Sequence, residues 1–66
     1  MTVFVNGEPR EVTRSRTVTE LVAELELPGP TLLIEHNGTA LHRSEWPETP
    51  LAGGDRLELL RVVAGG

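Results

Sequence analysis

The chain opens on Thr2-Val3-Phe4-Val5-Asn6, a β-branched and aromatic run that stops at Asn6-Gly7. Asn-Gly favours positive φ and is a strong hairpin signal. The returning segment, Glu8-Pro9-Arg10-Glu11-Val12, reads as a weak strand. Pro9 has no N–H for a ladder, so this strand is expected at a sheet edge. Thr17-Val18-Thr19-Glu20 then has the form of a capping box, in which the hydroxyl covers one orphan amide and the carboxylate another. Val18, Leu21, Val22 and Leu25 recur at i, i+3, i+4 and i+7, which is one apolar helical stripe, with Glu20, Glu24 and Glu26 on other faces. Pro28-Gly29-Pro30 cannot continue this helix and is expected to mark its end. At about two and a half turns the helix is too short to stand alone in water and must pack on a sheet.

Thr31-Leu32-Leu33-Ile34-Glu35-His36 predicts a third strand, Asn37-Gly38 a second turn, and Thr39-Ala40-Leu41 a short return. Residues 42–50 read as irregular, with Pro47 and Pro50 inside them, and Leu51-Ala52-Gly53-Gly54-Asp55 as a turn. Residues 56–63 form the last and strongest strand. The order is β-β-α-β-β-β in one domain spanning 1–63, followed by a free tail, Ala64-Gly65-Gly66. No internal repeat or linker is visible. The first and last strands are the most apolar and are placed adjacent and central. The fold class is therefore α+β: a single mixed β-sheet with one main helix packed on one face, the β-grasp (ubiquitin-like) topology.

The period of two along a strand assigns faces. Leu57 and Leu59 share one face, and Glu58, Leu60 and Val62 the other; Val3 and Val5 oppose Phe4; Leu32 and Ile34 oppose Leu33 and Glu35. The helix covers one face only. The consistent choice buries Val3, Val5, Leu32, Ile34, Leu57 and Leu59 beneath Val18, Leu21, Val22 and Leu25. Phe4, Leu33, Leu60 and Val62 then stay on the uncovered face, and such an apolar cluster on a small protein reads as a partner interface. The alternative is that residues 42–50 fold over part of it, although Trp46 is their only large apolar side chain.

Composition narrows the function. Sixty-six residues with no cysteine leave no disulfide and no thiolate metal site, so the chain folds on apolar packing alone. A domain of this size buries only roughly 60% of the surface its unfolded form exposes. That supports one core and no enclosed substrate pocket, which argues against a self-sufficient enzyme. Ten acids against six arginines give a formal net charge of −4, a sign that opposes nucleic acid. No apolar run reaches the roughly 20 residues that span a bilayer, and no export signal opens the chain. The expectation is a soluble, cytoplasmic domain that presents a surface or an end to something larger. Lysine is absent while arginine occurs six times; arginine-biased codon usage is the preferred reading, with selection against amines near a reactive acyl group as the alternative. His36 and His42 flank a turn with too few further ligands for a metal. Trp46 is expected to bury its ring and Arg43 to bond backbone carbonyls, fixing the irregular segment, with a partner contact as the alternative. Gly53-Gly54-Asp55 precedes a strand rather than a helix, which favours a turn over a phosphate loop.

The sequence ends on Gly65-Gly66. A carboxylate on two glycines is unhindered and slim enough to enter a narrow channel, and four extended residues reach roughly 13–14 Å. Such an end suits acyl activation: joined to AMP as a mixed anhydride, it accepts a sulfur nucleophile and becomes a thiocarboxylate. The chain has no P-loop pattern and no nucleophile–base pair, so the activating machinery must lie in a partner. With no cysteine, any sulfur carried here cannot sit on a side-chain thiol.

These residues resemble the ThiS family of ubiquitin-like sulfur carriers of thiamin biosynthesis. The resemblance runs nearly end to end. It rests on Phe4-Val5-Asn6-Gly7, Thr17-Val18 with Glu20-Leu21, Asn37-Gly38 followed by Arg43 and Trp46, Gly54-Asp55, and Val63-Ala64-Gly65-Gly66. It implies a carrier and co-substrate rather than an enzyme, with no bound cofactor. An E1-like adenylyltransferase (ThiF-like) would adenylate Gly66 using ATP and Mg²⁺, a cysteine-desulfurase system would supply sulfur, and the thiocarboxylate would serve a thiazole synthase (ThiG-like). Gly66 is then the attachment residue, and Ala64 and Gly65 the tail. The molybdopterin carriers tend to have Phe and paired Pro before their glycines; here the run is Leu59-Leu60-Arg61-Val62-Val63, which favours ThiS. Carriers feeding molybdopterin, cysteine or a secondary metabolite, a protein modifier attaching through Gly66, and a pure interaction module stay as alternatives.

Overall fold

The computed structural model describes residues 1–27 and 31–61. The expectations placed on Val62, Val63, Ala64, Gly65 and Gly66 lie outside the described residues. The order is β1 (Thr2–Val5), β2 (Glu8–Glu11), α1 (Val18–Glu24), β3 (Leu32–His36), β4 (Thr39–Leu41), a 3-10 helix (Arg43–Glu48) and β5 (Arg56–Arg61). The strands form a five-stranded sheet in the order β2-β1-β5-β3-β4. β1 and β5 run parallel, and the other neighbours are antiparallel. This is the mixed sheet with one α-helix that the hydrophobic pattern implies, with β5 central and the proline-bearing β2 at an edge.

Thr17 caps α1 as its spacing predicts. Its hydroxyl accepts from the Glu20 amide at 3.3 Å, and Glu20 Oε1 accepts from the Thr17 amide at 3.2 Å. The helix does not run on to Pro28-Gly29-Pro30. Leu25 is its C-cap and Glu26 turns left-handed at φ 55°. The Glu26 amide donates to the Ala23 carbonyl at 3.1 Å and the Leu27 amide to the Val22 carbonyl at 3.0 Å. Paired bonds of this kind are a Schellman ending, which normally carries glycine at the left-handed position. Leu27 follows and packs against the core, so the helix is closed by backbone geometry before the prolines are reached.

The core is Val3, Val5, Val12, Val18, Leu21, Val22, Leu32, Ile34, Trp46 and Leu57, with Leu25 and Leu59 partly buried against it. It lies between the sheet and α1. Residues 42–50 are more regular than their composition suggests. The His42 amide donates to Glu45 Oε1 at 2.7 Å and opens the 3-10 helix, whose Trp46 is only 5% exposed. The Arg43 guanidinium lies over the Trp46 ring, 4.4 Å from the centroid. Because Trp46 joins the core beside α1, this segment sits on the helix side and leaves the other sheet face uncovered. Among the described residues no helix is long and apolar enough to cross a membrane.

Candidate functional site

The uncovered sheet face carries the apolar side chains that alternation placed there. Phe4 is 37% exposed, Leu33 55% and Leu60 60%. Leu33 and Leu60 stand directly opposite each other across β3 and β5, and Phe4 lies opposite Arg56 across β1 and β5. The fourth member of the expected cluster, Val62, lies outside the described residues. In the same antiparallel register Glu35 faces Glu58, both exposed. Two carboxylates thus sit next to the Leu33–Leu60 pair. Sequence alternation put Glu35 and Glu58 on this face, but only the register of β3 on β5 shows that they are opposite one another.

The strand that leads towards the glycine tail is held from both sides by the two Asn-Gly turns. Asn6 takes φ 51°, and its side chain behaves like one more residue of β1. Its Oδ1 accepts from the Leu59 amide at 2.7 Å and its Nδ2 donates to the Leu59 carbonyl at 3.3 Å. Asn37 takes φ 50° and acts on the start of β5, where its Oδ1 accepts from the Arg56 amide at 2.8 Å. Its Nδ2 donates to Asp55 Oδ1 at 3.2 Å. Asp55 Oδ2 also lies 2.7 Å from His36 Nε2 and accepts from the Ala52 amide at 2.9 Å. Burial pushes the Asp55 carboxyl up, but the bonds from His36, the Ala52 amide and Asn37 together outweigh it and hold the group below its ordinary range. The Gly53-Gly54 segment is the expected turn, with Gly54 at φ 88° and its amide bonded to the Thr2 carbonyl. Sequence reading identifies the two asparagines as turn formers; their grip on β5 comes from tertiary structure.

On the helix side, Glu24 anchors the loop before α1. It accepts from the amides of Thr13, Arg14 and Ser15 and from the hydroxyls of Thr13 and Ser15, at 2.6–3.2 Å. The Ser15 hydroxyl and the Thr13 amide are the main causes that lower its carboxyl from 4.5 to about 2. Each of these bonds is stronger to the ionised acceptor. This cluster is structural, since every donor is satisfied within the loop. Among the described residues no group of three or more His, Cys, Asp or Glu comes together, and His36 is engaged by Asp55.

Among the described residues no group of metal-ligating side chains is assembled. The fold offers an open apolar and acidic face, and a central strand fixed at both ends of its course. A model of the ThiS family matches residues 3–66. The chain is 36% identical over 66 residues to the sulfur carrier protein ThiS of Thermus thermophilus, covering 97% of this chain and 98% of that protein. It is 30% identical to part of a thiazole synthase of Paramagnetospirillum magneticum, matching along its whole length but spanning only 20% of that protein. The crystal structure of the thiamine biosynthesis protein ThiS from Geobacter metallireducens superposes with a TM-score of 0.86 at 33% identity, covering 100% of both chains.

Proposed function

Because the chain belongs to the ThiS family, we propose that it is a sulfur carrier of thiamin biosynthesis whose working group is the Gly66 carboxylate. The observation that carries this reading is the family match itself, which runs through residue 66 and so includes the Gly65-Gly66 pair. In the proposed cycle the Gly66 carboxylate attacks the α-phosphorus of ATP in an E1-like adenylyltransferase, with Mg²⁺ on the phosphates, and pyrophosphate leaves. The terminal sulfur of a persulfide, supplied by a cysteine desulfurase, then attacks the acyl carbon, and AMP departs with the former carboxylate oxygen. A thiol reductant cleaves the resulting acyl disulfide, is itself oxidised to a disulfide, and leaves a thiocarboxylate on Gly66. Transfer of that sulfur during thiazole formation by a thiazole synthase returns the carboxylate. The chain supplies no catalytic group; it acts as co-substrate, and Ala64 and Gly65 give its end a slim approach.

The geometry supports this division of labour. Phe4, Leu33 and Leu60 are exposed on the face away from α1, and together with Val62 they are the surface proposed to meet the partner enzymes. The test is an incubation of the chain with the E1-like enzyme, ATP, Mg²⁺ and a sulfur source, read by intact mass. Exchange of one oxygen for sulfur at Gly66 is expected. An active partner that leaves the mass unchanged would overturn the proposal, and isopeptide-linked adducts on other proteins would replace it with a protein-modifier role.

A further inference from the structure

β1 ends at Val5, and the chain turns into β2 through Asn6, at φ 51°, and Gly7, at φ 84°. β5 runs on past that turn to Arg61. In a parallel ladder, a residue lying between two positions of its neighbour donates its amide to the first and accepts at its carbonyl from the second. Asn6 makes the first bond with its backbone, donating to the Leu57 carbonyl at 2.8 Å. The second bond comes from the side chain, where Oδ1 accepts from the Leu59 amide at 2.7 Å. Nδ2 then donates to the Leu59 carbonyl at 3.3 Å, in the place of the next backbone amide. The side-chain amide thus acts as one more peptide unit, added to β1 after the backbone has left it. It carries the hold on this edge of β5 as far as Leu59. Beyond that point, among the described residues, Leu60 and Arg61 are paired only on the β3 side, with Leu33 and Leu32. Val62-Val63-Ala64-Gly65-Gly66 completes the chain.

We propose that Asn6 is a positioning residue for the reacting end: it fixes the last point at which β5 is gripped from both edges, and so the direction in which the chain leaves the domain. The inference rests on the carrier reading for what the end does, while the grip itself rests on the hydrogen bonds. Asparagine meets two demands at this position. The turn needs a residue that tolerates positive φ, which glycine does as well or better. The ladder needs an acceptor and a donor side by side, which glycine lacks. Aspartate tolerates the turn and accepts from the Leu59 amide, but it sets a second oxygen against the Leu59 carbonyl. A turn former alone would therefore be replaceable by glycine, and a positioning residue by neither. Holding the strand end reduces the arrangements that the terminal acyl group must search once the domain is docked. That acts on the rate of the bound chain rather than on its affinity.

The test compares the intact chain with Asn6→Gly and Asn6→Asp in two measurements. Sulfur loading by the E1-like adenylyltransferase, with ATP, Mg²⁺, a persulfide donor and a thiol reductant, is followed by intact mass over a range of chain concentrations, well below each variant's Tm. Amide hydrogen exchange is measured on the free chain at Arg56, Leu59 and Leu60. Both variants are expected to load with kcat about three- to tenfold lower and KM within about twofold, the size of one or two net hydrogen bonds. In Asn6→Gly, exchange should quicken at Leu59 and also at Leu60, which pairs with β3, while Arg56 stays slow under Asn37. That pattern separates a local loss from general unfolding. Normal loading by Asn6→Gly would overturn the inference and leave Asn6 a turn former. A raised KM with kcat unchanged would overturn it by making Asn6 a contact of the partner. Wild-type exchange at Leu60 in Asn6→Gly would overturn it as well, because the strand end would not depend on the grip. A wild-type chain that never acquires sulfur overturns the carrier reading, and exchange at Leu60 then decides alone whether Asn6 fixes the strand end.

Discussion

Glu26 is the residue whose replacement should most cleanly stabilise the fold. It occupies the left-handed position after α1 at φ 55°, where the Cβ of an L-residue is crowded. A non-glycine residue in that region costs about 1–2 kcal/mol. Glycine relieves the strain but adds freedom to the unfolded chain, worth about 0.4–1 kcal/mol in the opposite direction. The net expectation for Glu26→Gly is a gain of about 0.5–1 kcal/mol, and for a domain of this size a change of about 1 kcal/mol moves Tm by roughly 4–8 °C. Thermal and urea unfolding followed by circular dichroism would show it as a rise of about 2–8 °C with an unchanged m-value. A carboxylate just past a helix C-terminus also faces the negative end of the helix dipole. Glu26→Gln removes that charge while keeping the Cβ, and it should recover only a small part of the gain. If Glu26→Gln matches Glu26→Gly, the dipole and not the backbone is responsible. If Glu26→Gly lowers Tm, the argument from the Schellman geometry fails.

Other perturbations test other parts of the structure. Glu24 is lowered from 4.5 to about 2 by the Ser15 hydroxyl and the loop amides; its stabilising effect is complete above about pH 4.5 and is lost as pH falls through about 2. Glu24→Gln should therefore destabilise the chain at neutral pH and flatten the acid limb of its stability curve, and an unchanged acid limb would refute the clamp. Asn6→Gly keeps the positive φ and deletes the amide that holds Leu59. Hydrogen exchange should quicken at the Leu59 amide and stay slow at Arg56, which Asn37 holds. Leu57→Ala, at a side chain 1% exposed in the central strand, should cost about 2–5 kcal/mol, against a total margin of order 3–10 kcal/mol. Leu60→Ala, at a side chain 60% exposed, should change stability by less than about 1 kcal/mol.

What the sequence reveals divides along a physical line. Signals that act over a few residues are legible: the Thr17–Glu20 capping box, the two Asn-Gly turns, and the period-two alternation that separates Val3 and Val5 from Phe4. The end of α1 is not legible, because it is made by backbone bonds from Glu26 and Leu27, and glutamate carries no preference for positive φ. The 3-10 helix is hidden because it offers one apolar residue, Trp46, and no repeat. Val12 reads as the tail of a weak strand, yet it is a core residue whose amide bonds the Met1 carbonyl. At the candidate site the exposure of Phe4, Leu33 and Leu60 follows from alternation. The opposition of Glu35 to Glu58 and the grip of Asn6 on Leu59, across 53 positions, depend on strand register.

A domain this small closes one face of its sheet and leaves the other open, and that limit assigns roles to the two sides. Val18, Leu21, Val22 and Trp46 cover the closed face, so substitutions there act on stability. Phe4, Leu33, Leu60, Glu35 and Glu58 are exposed and contribute little to the core, so substitutions there should change stability little. β5 joins the two: Leu57 points into the core, Leu60 into the open face, and the strand is held by β1, β3 and both asparagines. Leu57→Ala and Leu33→Ala should accordingly separate in unfolding experiments. The first, in the core, should lower Tm steeply, and the second, at a side chain 55% exposed on the open face, should leave Tm nearly unchanged. A comparable loss from both would mean that the open face takes part in holding the fold, and that the two sides of the sheet are not independent.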